Sequence, residues 1–133
     1  MKRLSIMFTA ATILGVGLLP ITAHASVTKV AHSSPMVVQT WFSNLHPKVG
    51  QQETVHVLFF QGRHGFGGAL FSGTVTYGKH TIRLKSSKTN GRGEAWANLT
   101  VPRAARGKTL AAHTVLVYKG HRYTGSNRVN VAR

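Results

Sequence analysis

The chain holds few residues able to do covalent chemistry. Glu53 and Glu94 are its only acids, and it contains no cysteine. Glycoside hydrolysis of the usual kind needs two carboxylates flanking one bond, and a calcium site needs several charged oxygens. Two acids, each at the start of a different predicted strand, fit neither. Without aspartate there is no Ser-His-Asp triad, and no Gly-x-Ser-x-Gly elbow occurs. Gly62-Arg63-His64-Gly65-Phe66-Gly67 lies between two predicted strands instead of ahead of a helix, so it reads as a turn and not as a phosphate-cradling loop. This inventory predicts a non-enzyme that needs no cofactor.

The histidines stand at 24, 32, 46, 56, 64, 80, 113 and 121. No pair after residue 25 has the i, i+2 or i, i+4 spacing of a compact local site, so any metal would need ligands from separate strands. His56 and His113 fall inside predicted strands and read as half-buried imidazoles bonded to a neighbour. Phe59, Phe60, Phe71 and Trp96 read as core, and so few aromatic residues argue against a specific reader of nucleic acid.

Positive charge is the dominant feature: 17 lysines and arginines against two acids give a net charge of +15 over 133 residues. Twelve of the 17 lie from Lys79 onward. If successive strands alternate direction, one end of the domain collects Arg63, His64, Lys85, Lys88, Arg92, Lys119, His121 and Arg122. The other end collects Lys48, Lys79, Arg103, Arg106 and Lys108. Like charges gathered without acids cost stability by self-repulsion, which implies a polyanionic partner. Arg63, Lys85, Lys88, Arg92, Lys119 and Arg122 are the candidate contacts, by charge-assisted hydrogen bonds to phosphate or carboxylate. The alternative is a structural domain whose charge serves solubility alone.

The elements that must position these residues follow a leader. Lys2 and Arg3, an apolar run over 4–19, Pro20 and then Ala23-His24-Ala25 have the form of a secretory signal cleaved before Ser26. The run is short of the roughly 20 residues that cross a bilayer, so no integral membrane segment is expected. Removal of 1–25 leaves a charge of +13 over 108 residues. Residues 26–35 are polar and form a flexible N-terminal segment. The domain, 36–133, breaks into candidate strands at 36–42, 53–60, 69–77, 81–85, 94–101, 110–118 and 127–131, with turns at Pro47 to Gly50, Gly78, Asn90-Gly91, Pro102 to Gly107 and Gly120. Val55, Val57 and Phe59 share one face by two-residue alternation, as do Phe71, Gly73, Val75 and Tyr77, and Ala95, Ala97, Leu99 and Val101. About seven short strands without helical periodicity predict an all-β, immunoglobulin-like Greek-key sandwich.

From Asn44 to Val131 the chain resembles a bacterial immunoglobulin-like domain of the invasin and intimin type. The resemblance rests on Pro47 and Gly50 ahead of Thr54-Val55-His56-Val57, on Phe71-Ser72-Gly73-Thr74-Val75, on Asn90-Gly91-Arg92-Gly93-Glu94-Ala95, and on the closing Ser126 to Val131. It implies a sandwich fold; the leader and the concentration of charge together give the expectation of a non-catalytic binding module at the cell envelope or outside the cell. The anionic polymers there are wall teichoic acid, acidic polysaccharide, lipid head groups and extracellular DNA. A second resemblance is to periplasmic copper carriers of the CopC type, which begin at a ligand histidine and carry Gly-His near the end. Cleavage after Ala23 would expose His24, and Gly120-His121 would supply the second feature, with imidazole and amine suited to copper(II).

Overall fold

A computed structural model describes residues 34–133. The predicted leader, its cleavage point, His24 and most of the segment 26–35 lie outside the described residues. Among those residues no helix is long and apolar enough to cross a membrane. Eight strands run in chain order: β1 (Met36–Phe42), β2 (Gln52–Gln61), β3 (His64–Gly65), β4 (Leu70–Tyr77), β5 (His80–Lys88), β6 (Glu94–Thr100), β7 (Thr109–Tyr118) and β8 (His121–Asn130). One turn of 3₁₀ helix, Arg103–Ala105, interrupts the loop before β7 and buries Ala105.

The strands form two antiparallel sheets. In the first, β2 is central, with β1 on one side and β6, extended by the short β3, on the other. In the second the order is β5-β4-β7-β8. Alternation explains the layering. Val55, Val57 and Phe59 of β2 are fully buried, as are Phe71 and Val75 of β4 and Leu110 and Leu116 of β7, and one apolar cluster draws on both sheets. Each large side chain so buried contributes about 1.5–3 kcal/mol relative to exposure. The result is a β-sandwich of immunoglobulin-like type in which β5 stays on the sheet of β4, β7 and β8.

The structure departs from the sequence reading in several places. The last strand begins at His121, not Asn127. Lys119 and Gly120, both at positive φ (50° and 81°), make a two-residue hairpin that pairs Tyr118 with His121 and sets the register down to Thr109 and Asn130. The polar stretch His121 to Ser126 lacks an apolar pattern and is held as strand by that register. Secondly, β5 runs to Lys88 with an irregularity opposite Phe71 and Gly73; its arginine and lysines suit an exposed sheet edge. Thirdly, Trp96 is 51% exposed and Phe60 half-exposed, because both point away from the core.

Where the sheets meet edge to edge, β1 lies on β8. The hydroxyls of Thr40 and Thr114 share a buried hydrogen bond of 2.7 Å, and Gly125 of β8 leaves the necessary room. A Cβ there would stand 2.5 Å from Thr40 Oγ1 and 2.8 Å from Val38 Cγ1. In an ordinary strand Gly→Ala stabilises. Here Gly125→Ala is expected to destabilise by about 1–3 kcal/mol through overpacking, read from urea unfolding midpoints. A stabilised variant would show that β1 does not pack on β8 in this way.

Candidate functional site

The six cations singled out from the sequence fall at or near one end of the sandwich, but they do not converge on a single pocket. Arg63, in the turn between β2 and β3, and Arg92, in the turn before β6, line one depression of about 270 Å³ with Leu58, Phe60, Gly62 and Gly65. Lys88 and Arg122 belong to the other sheet. They close the two ends of a row across it, Lys88–Leu70–Val117–Arg122, about 14 Å long at the usual strand spacing. Lys119 sits over the ring of Tyr118, 5.3 Å from its centroid. Lys85 lies further from the end and borders Trp96 together with Ser86 and Ser87.

These loops are held from beneath. Phe59 packs against Phe66, Tyr118 and Tyr123 at centroid distances of 5.0–5.8 Å, so one core ring ties the loop after β3 to the β7–β8 hairpin. Buried Thr89 fixes the same loop. Its hydroxyl donates to the Phe66 carbonyl (2.7 Å) and accepts from the Ala69 N–H (2.9 Å), while its backbone exchanges bonds with Gly68 and Ala69. The turn carrying Arg92 is closed by Asn90, whose side-chain oxygen accepts from the backbone N–H groups of Arg92 (2.9 Å) and Glu94 (3.1 Å). Gly93 completes that turn at φ 83°.

The pairing register reveals cations beyond the candidate contacts read from the sequence. On β5 and β8 the outward positions include Arg83 and Arg128. Arg83 stands in the row Arg83–Thr74–His113–Ser126, and Arg128 in the row Thr81–Thr76–Ala111–Arg128. His113 is exposed instead of half-buried; with Arg83, Ser72, Thr74 and Ser86 it lines a shallow groove of about 210 Å³. The outer face of the β5-β4-β7-β8 sheet thus carries Arg83, Lys88, Arg122 and Arg128 among hydroxyls.

The outer face of the other sheet, of β1, β2, β3 and β6, is different. Its rows are Val37–Phe60–Gly65, Gln39–Leu58–Glu94, Trp41–His56–Trp96 and, beyond them, Thr54 beside Asn98. It has no lysine or arginine in these rows. The ring of half-buried His56 stacks on Trp41 with centroids 5.2 Å apart and planes 9° from parallel, and its Nε2 lies 3.2 Å from Ser43 Oγ. Two-residue alternation could have flagged this face: Ala95 and Ala97 inward require Trp96 outward, and Val55 and Val57 inward require His56 outward.

Both acids belong to this sheet, on β2 and β6, but face opposite ways. Glu53 is fully buried, its Oε1 accepting from the backbone N–H groups of Thr54 (2.8 Å) and Asn44 (3.3 Å). Glu94 lies on the outer face, 3.9 Å from Arg92 in an exposed ion pair. The two cannot flank one bond. His121 opens β8 in solvent, and among the described residues no group of three histidine, cysteine or acidic side chains comes together to hold a metal. Replacing Thr89 with alanine is expected to cost about 1–2 kcal/mol by leaving the Ala69 N–H and Phe66 carbonyl unpaired. It is also expected to speed tryptic cleavage after Arg63, measured by mass spectrometry under native conditions; unchanged cleavage would remove Thr89 as the anchor of that loop.

With this geometry in hand, comparison with solved structures bears on the fold. The chain is similar to the adhesin InvE of Yersinia pseudotuberculosis, with a TM-score of 0.56 and 11% identity over 91% of this chain and 35% of that one. It overlaps less with the sporulation control protein Spo0M of Bacillus subtilis (TM-score 0.44, 14% identity, 74% and 49% covered). The same holds for the alkylpurine DNA glycosylase AlkC of Pseudomonas fluorescens bound to DNA containing an abasic site analog (0.44, 10%, 75% and 31%). The chain spans about a third to a half of the length of these structures. No family model matches the chain, and no curated protein sequence matches it at a significant level. The likeness to InvE, at that identity, marks an immunoglobulin-like all-β fold.

Proposed function

We propose that the protein is a secreted, non-catalytic binding module of the cell envelope that attaches electrostatically to anionic polymers, such as wall teichoic acid and acidic polysaccharide. One observation carries the reading: cations stand within the cross-strand rows of one outer face and only around the margins of the other. The outer face of the β5-β4-β7-β8 sheet presents Arg83, Lys88, Arg122 and Arg128, and Arg63 and Arg92 carry the charge around the adjoining end to the margin of the other sheet, beside Leu58 and Phe60. The opposite outer face has none in its cross-strand rows. An extended polyanion lying along a basic face meets repeated charges instead of one pocket, and release of its counterions drives the association. Hydroxyls of Ser72, Thr74, Thr124 and Ser126 between the cations supply further donors. A cationic surface also speeds encounter by steering. The immunoglobulin-like sandwich is a scaffold compatible with this role, and the separation of Glu53 from Glu94 supports a role without catalysis.

Purified protein titrated onto teichoic acid or isolated cell walls is expected to bind with an affinity that falls steeply as salt rises. The triple variant Arg83→Gln, Arg122→Gln, Arg128→Gln is expected to lower the slope of log affinity against log salt by roughly one unit for each phosphate no longer neutralised. Arg103→Gln with Arg106→Gln, at the other end, is expected to change it less. Binding indifferent to salt would sink the proposal, since screening must weaken an electrostatic attachment of this kind.

A further inference from the structure

Both tryptophans of the chain lie on the face that holds no cation in its cross-strand rows. Trp41 is 37% and Trp96 51% exposed. They stand on β1 and β6 in one row, with His56 of β2 between them. A folded domain gains nothing from leaving its two largest aromatic side chains in solvent, and such residues are enriched where a partner covers them. Between them is a groove of about 460 Å³, whose lining includes Thr54, Glu94 and Asn98 as well as the three rings.

We infer that this outer face is a stacking site for the pyranose rings of an uncharged glycan chain. Three features point to that occupant. The row places two tryptophans on backbones two strands apart, about 9–10 Å, close to the length of a disaccharide unit, so successive or alternate sugars can each rest a C–H face on an indole, at Trp41 on the side that the stacked His56 leaves open. Polar groups flank the row on both sides, as hydroxyl-bearing rings require: Gln39 and Glu94 on one, Thr54 and Asn98 on the other. The Thr54 hydroxyl donates to Asn98 Oδ1 at 2.7 Å, which leaves the Asn98 amide to donate to a sugar hydroxyl. Lastly, the charge pattern disfavours the other candidates. A phosphate-bearing strand, nucleic acid included, would meet Glu94 and no lysine or arginine within the rows, Lys85 and Lys88 standing only at the margin beside Trp96. A second copy of the chain would bring two molecules of high positive charge together.

This site lies on the outer face opposite Arg83 and Arg128, and the two sites differ in their response to salt. Because both indoles line the groove, their fluorescence reports its occupancy directly. The probes are a linear glucose hexasaccharide and a linear N-acetylglucosamine hexasaccharide, with an oligothymidylate of similar length as the contrasting ligand. At least one of the sugars is expected to shift the emission to shorter wavelength in a saturable way, with an affinity unchanged between low and high salt. Trp41→Ala and Trp96→Ala are each expected to weaken that binding at least about tenfold, whereas Trp41→Phe and Trp96→Phe, which keep a ring, retain most of it. The variant Arg83→Gln with Arg128→Gln is expected to bind the sugar normally, so failure of the polyanion reading and failure of this one are told apart. The inference is overturned if neither sugar shifts the emission, if the affinity survives both alanine substitutions, if the oligonucleotide binds there and the sugars do not, or if the same shift appears on raising the protein concentration alone.

Discussion

Uncompensated positive charge is the constraint on which the rest of the structure depends. With two acids in the chain, and one of them buried, internal ion pairing is unavailable to almost every lysine and arginine. Burying an unpaired ammonium or guanidinium costs several kcal/mol even after relaxation. All the lysines and arginines among the described residues are accordingly exposed, in turns, at the β5 edge, or on the outward positions of β5 and β8. The core is left wholly to apolar side chains, a few threonines and Glu53.

That constraint acts together with the two-residue period of strands. A cation in a strand must take an outward position, which fixes the parity of every neighbour. Arg83 outward places Ile82 and Leu84 inward, and Arg128 outward places Val129 inward. The aromatic residues divide by the same rule. Phe59 and Phe71 enter the core, Phe66, Tyr118 and Tyr123 close it beneath the basic loops, and Trp41 and Trp96 remain outside. A core lacking tryptophan is filled by phenylalanine, valine and leucine, and Gly125 admits β1 against β8 where any larger residue would hold the sheets apart. The two outer faces then diverge in chemistry: one basic and hydroxylated, the other aromatic and amide-bearing.

The all-β character, the absence of helical periodicity, most strand spans and the inward sets of β2, β4 and β6 are legible along the chain, because alternation and turn residues are local signals. So is the gathering of Arg63, Lys88, Arg92, Lys119 and Arg122 at one end, which needs only that strands reverse direction. What is not legible has particular causes. The start of β8 is hidden because His121 to Ser126 have no apolar rhythm and are strand only by pairing with β7. Trp96 and Phe60 read as core because their bulk outweighs their parity. Arg83 and Arg128 escape a search for charged loops because no loop carries them.

The amino-acid sequence by itself determined the charge, the poverty of acids and thiols that excludes many catalytic mechanisms, and the two-residue rhythm that makes a sandwich. Only the tertiary structure decided which strands are neighbours, and that decision creates both faces. Trp41, His56 and Trp96 are scattered over more than fifty positions of the chain and meet because β2 lies between β1 and β6. Arg83 and Arg128 share a face because β5 and β8 are the two edges of one sheet. Strand order is set by long-range packing of two layers around a common core, a property that no local pattern encodes.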